Sequence, residues 1–107
     1  MLTTKQTICN RIPNGAAIIK PRTTCKVRWD ETADGRKFMT CGPKNLYLYD
    51  LIKARKIFHE SGRWDRATFK RIFPVMSGHS PCNFTTIGGA FVKLGEARYE
   101  HGVYLKK

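Results

Sequence analysis

The stretch Phe84-Thr85-Thr86-Ile87-Gly88-Gly89-Ala90-Phe91-Val92-Lys93-Leu94-Gly95 constrains the chain most. At helical spacing Ile87, Ala90, Phe91 and Leu94 fall on one side, while Thr85, Thr86, Gly89 and Lys93 fall on the other. The spacing predicts a helix over Phe84–Leu94 that buries its apolar side. Its other side carries small polar groups, a lysine and nearly bare backbone, so another surface could approach it closely. Gly95 is a stop signal. Two adjacent glycines oppose a helix by roughly 1 kcal/mol each, and Thr85-Thr86-Ile87 also suits a strand. Behind this stretch, Ala97-Arg98-Tyr99, Glu100-His101-Gly102 and Val103-Tyr104-Leu105 read as strand, turn and strand.

Upstream, residues 5–20 read as a hairpin. Thr7–Ile12 and Ala16–Lys20 flank Pro13-Asn14-Gly15, a strong turn signal because Asn and Gly tolerate positive φ. Residues 24–41 read as a second hairpin around Asp34-Gly35. Closing its turn with Asp30 opposite Arg36 sets Cys25 against Cys41 and Val27 against Met39. Closing it at Thr32 and Arg36 shifts the pairing by two. Both registers keep Cys25, Val27, Trp29, Met39 and Cys41 on one face. Gly42-Pro43 then separates this β region from a helical one.

The first helix of that region is expected over Asn45–Ser61, with Asn45 as N-cap and Gly62 as stop. Tyr47, Leu48, Leu51, Ile52 and Phe58 form its apolar arc, and Arg55 falls inside that arc. Asp65 is an N-cap for the next helix. Trp64 before it can staple onto Phe69, and Pro74 should end the helix near Phe73. Val75–Asn83 reads as a loop.

The fold class expected is α+β in a single domain: N-terminal β-hairpins in residues 1–43, then a three-helix half in residues 44–107. Three helices followed by a hairpin resemble a winged-helix DNA-binding domain, with recognition helix and basic wing. By that resemblance Thr85, Thr86, Gly89 and Lys93 would face the major groove of duplex DNA. Arg98, His101, Lys106 and Lys107 would bring the wing to phosphates, and Arg66 and Lys70 would reach the backbone.

Charge points the same way. The chain carries 20 Lys+Arg against 8 Asp+Glu, a net +12. Residues 1–43 hold 8 basic and 3 acidic groups, and 44–107 hold 12 and 5, so the excess is spread over the body. Such imbalance favours an anionic partner: nucleic acid first, then an acidic host protein, then a membrane surface. Size and charge suit a phage or mobile-element regulator. The alternative is an anti-defence or host-takeover inhibitor that blocks a host protein sterically.

The other readings are structural. No stretch has the length of a signal peptide's apolar run or a membrane span, so a cytoplasmic protein with four free thiols is expected; a Cys25–Cys41 disulfide is geometrically conceivable but disfavoured in a reducing cell. His79 and Cys82 have the two-residue gap of zinc ligands, and Cys25 and Cys41 could complete a set; against this stands the reading of core and surface thiols, with no metal and no cofactor. Cys82 beside His79 lacks an orienting group, and no phosphate-cradling glycine loop is present, so no enzyme activity is expected.

Overall fold

The computed structural model describes residues 2–107. The fold is α+β, with antiparallel strands in the N-terminal part, then helices, then a C-terminal strand pair.

The chain opens with a helix, α1 (Thr4–Arg11), where the sequence predicts a strand. The reason is local. Thr3 Oγ1 accepts from Gln6 N–H, and the Gln6 side chain accepts from Thr3 N–H, forming a capping box. Ile8 and Ile12, four apart, are buried. The Pro13-Asn14-Gly15 turn does form, with Ala16 N–H donating to Pro13 O. It leads from α1 into β1 (Ala17–Ile19) rather than closing a hairpin.

β1 pairs instead with β2 (Thr24–Lys26). At Val27 the chain changes partner: Val27 N–H still donates to Ala16 O, and β3 (Arg28–Glu31) then pairs with β4 (Lys37–Thr40). The register sets Trp29 opposite Met39, the shifted of the two expected pairings, and Val27, Met39 and Cys41 are buried together. Cys25 and Cys41 are joined as a disulfide with Cα atoms 5.4 Å apart, a normal span for the bond. The expectation of four free thiols is therefore corrected: Cys9 and Cys82 alone are free.

β5 (Asn45–Tyr47) adds to β4, so Asn45 belongs to a strand and not to a helix cap. α2 (Leu48–Ser61) follows and ends as expected at Gly62, whose φ of 77° is the left-handed cap. β6 (Arg63–Trp64) leads to α3 (Arg66–Ile72), where Asp65 caps Thr68 N–H as predicted. Pro74 ends α3 and also starts α4 (Pro74–His79), because proline at the first helical position loses no bond. The expected loop is thus partly helical. α5 (Asn83–Lys93) is the helix expected over Phe84–Leu94, one residue earlier. β7 (Ala97–Glu100) and β8 (Val103–Lys106) close the chain, in a sheet of order β6–β8–β7.

α5 is the centre of the core. Phe91 stacks on Phe58 with centroids 4.6 Å apart. Buried Trp64 packs against Phe84 and Phe91, and its Nε1–H donates to Phe84 O. From α1, Arg11 Nη1 reaches Leu94 O at the far end of α5.

Candidate nucleic-acid interface

A groove of about 410 Å³ opens where four elements meet. One wall is the β1–β2 turn, Lys20-Pro21-Arg22-Thr23, closed by Lys20 N–H donating to Thr23 O. The other is the β7–β8 hairpin, which contributes Tyr99 and Gly102. That hairpin turns on His101 and Gly102 with φ of 46° and 85°, the two positive values a two-residue type I′ turn requires. Between the walls lie Arg66 at the start of α3 and Phe84 and Thr85 in the first turn of α5.

The side chains are fixed by local bonds. Asp65 starts α3 so that the Arg66 guanidinium lies 4.6 Å from the Phe84 ring centroid, and Arg66 Nη1 also points at Pro81 O, 3.4 Å away. Thr85 Oγ1 donates to Cys82 O. Lys20 is half-buried. Burial lowers its pKa from the ordinary lysine value, and only the nearby Cys82 sulfur opposes that shift. The lining holds Lys20, Arg22 and Arg66 and no carboxylate. None of the three is in an ion pair among the described residues. An anion entering the groove would supply the counter-charge they lack.

Of the residues expected to form an interface, Arg66 and Thr85 line this groove, and His101 stands beside it at the hairpin tip. The open face expected for α5 is corrected. Thr86 and Gly89 are buried. A Cβ on Gly89 would collide with Ile18 Cγ2 and lie 3.3 Å from Ile19 O, so β1 covers that face. Gly88 is pressed on the Tyr104 ring in the same way. The bare backbone serves packing on both sides of the helix.

The remaining cations are scattered. Lys93 is exposed at the opposite end of α5. On β7, Tyr99 is paired with Tyr104, while Arg98 is paired with Leu105 and so points to the other face of the sheet, where it sits 3.6 Å from Glu100. Lys106 Nζ reaches His59 O and Lys107 N–H donates to Glu96 O, at the strand ends away from the tip. Lys70 is exposed one turn beyond Arg66 without lining the groove. Sequence reasoning missed Lys20, Arg22 and Tyr99. The signal for the first two was a proline turn carrying two cations; for Tyr99 it was an aromatic ring beside the hairpin tip.

Arg55 has a structural role. Its Nε and Nη2 donate to the two Glu96 oxygens at 2.9 and 2.6 Å, and His59 Nε2 lies 2.9 Å from Glu96 Oε1. This ties α2 to the turn after α5. Burial pushes the Glu96 carboxyl up, but the bonds from Arg55 and His59 outweigh it and hold its pKa below the ordinary value. Cys25 and Cys41, bonded to each other, lie outside any ligand set with His79 and Cys82. No helix of the described residues is long and apolar enough to cross a membrane.

No family model, curated protein or solved structure matches this chain.

Proposed function

We propose that this protein binds nucleic acid, holding backbone phosphates in the groove between the β1–β2 turn and the β7–β8 hairpin. The observation that carries this reading is that Lys20, Arg22 and Arg66, in no ion pair among the described residues, line one groove without a carboxylate, with Lys20 half-buried. The winged-helix resemblance contributes helices α2, α3 and α5 followed by a hairpin wing; the chain departs from the expected three helices by the short α4 between α3 and α5, and β6 ties the helices to β8. The reading departs from it at α5, whose small-residue face is packed under β1, so the wing and the β1–β2 turn carry the contact. The protein acts in this reading by binding and not by catalysis.

Salt dependence tests the proposal. Three phosphate contacts give a slope of log affinity against log salt of about −2 to −3, at roughly −0.7 per contact for single strands and −0.9 for duplex. Anisotropy titrations over a salt series should give that slope. Absence of binding to any nucleic acid at low salt would end the reading.

A second reading rests on a different place. Tyr49 is 77% exposed and shares a surface pocket with Tyr47 and Ile52, where Lys5, Arg36 and Lys37 outnumber the single carboxylate, Asp50. Exposed aromatic and basic groups of this kind suit capture of an acidic host protein. Pull-down from nuclease-treated and untreated lysate separates the two: a partner retained only without nuclease favours nucleic acid.

A further inference from the structure

We infer that the groove receives an unpaired nucleotide, so that its ligand is single-stranded nucleic acid; this rests on the nucleic-acid reading above. Tyr99 carries the inference. The residue is 43% exposed and belongs to the groove lining. It is also held in place. The β7–β8 register sets it opposite Tyr104, with the ring centroids 5.0 Å apart. Tyr104 in turn is buried, packed edge-on to Phe84 at 5.7 Å and backed by Gly88. The open side of Tyr99 therefore faces the groove from a fixed support.

In a duplex the faces of the bases are stacked on one another, and a ring on a groove wall has nothing flat to meet. An unpaired base offers its face to any aromatic platform while its phosphates follow the basic groove. The groove brings these two functions together: the Tyr99 ring from the hairpin, and Lys20 and Arg22 from the β1–β2 turn. Arg66, stacked over Phe84, lines the same groove. A volume of about 410 Å³ is that of a small-ligand pocket, sufficient for one nucleotide and too small to admit the girth of a duplex.

The test compares a labelled oligothymidine with a blunt duplex of the same length by anisotropy at one salt concentration. Wild type, Tyr99→Ala and Tyr99→Phe are measured, each checked by circular dichroism. The expected result is single-strand binding at least about tenfold tighter than duplex, lowered about tenfold by Tyr99→Ala and kept by Tyr99→Phe. Equal or tighter duplex binding, or Tyr99→Ala binding the single strand like wild type, overturns the inference and leaves the nucleic-acid reading standing. Binding of neither probe at low salt overturns both.

Discussion

Replacing Gly88 with alanine separates helix propensity from packing at the centre of the fold. On propensity alone the change stabilises α5 by about 1 kcal/mol. The added methyl, however, would fall on the Tyr104 ring, with Cδ2, Cε2 and Cζ all inside van der Waals contact. Tyr104 has little room to swing away. It is buried, its strand is bonded through Trp64 on one side and Tyr99 on the other, and Phe84 stands 5.7 Å off. Overpacking of this kind costs about 1–3 kcal/mol. The larger cost less the propensity gain leaves a net loss of up to about 2 kcal/mol, a fall in Tm of roughly 10 °C for a domain of this size. Thermal melting of Gly88→Ala measures it, and a cycle with Tyr104→Leu identifies the cause. With the ring gone the methyl has space, so the double variant should be more stable than the sum of the single changes by about 1 kcal/mol. Gly88→Ala melting above wild type, or a strictly additive cycle, would refute the packing argument.

Three further outcomes are expected. Thiol titration of the denatured, unreduced protein should count two groups, Cys9 and Cys82, and reduction should cost about 3 kcal/mol of stability from opening a loop of sequence separation 16; a count of four refutes the bond. Glu96→Gln should lower stability by about 2 kcal/mol at neutral pH, a figure reduced from that of a fully buried pair because the Arg55 and Glu96 side chains remain 20% and 16% exposed. Because the folded state holds the Glu96 pKa below 4.5, its contribution is complete above that pH and is lost as pH falls through the folded value, so urea melts of variant and wild type should converge in acid. Burial pushes the Tyr104 phenol up to about 12 from 10.0, so the folded state keeps a proton the unfolded state releases; stability should decline as pH rises from 10.0 to about 12, and Tyr104→Phe should remove that decline.

The parts of the fold legible in the sequence are those set by local chemistry. Asp65 capping Thr68, Gly62 ending α2 and a turn through His101-Gly102 each follow from what a few neighbouring residues can do, although Glu100, expected in that turn, belongs to β7. α1 was legible too, through Thr3 and Gln6, but the β-branched Thr7-Ile8 ahead of Pro13-Asn14-Gly15 reads equally as a strand before a turn. Asn45 was not legible: its place in β5 depends on pairing with Thr40, which no helix signal reports. α5 shows the limit most clearly. Its apolar side was readable from spacing, but glycine on the other side is compatible with an open surface or with very close packing. Only the tertiary positions of Ile18 and Tyr104 decide between them. The groove was hidden for the same reason, since residues 20–23, Arg66 and Tyr99 meet only after folding.

The central claim is that the groove, and not the general positive charge, binds nucleic acid. Two double charge reversals test it with identical changes in net charge: Arg22→Glu with Arg66→Glu in the groove, and Lys56→Glu with Lys93→Glu, two exposed lysines outside its lining. Affinity for a labelled oligonucleotide is measured over a salt series for both and for wild type. The groove variant should lose at least about tenfold in affinity and reduce the salt slope by about 1–2 units, while the distant variant keeps the wild-type slope and most of the affinity. Equal losses in the two variants would contradict the account, because they would mean that the partner senses only the total charge.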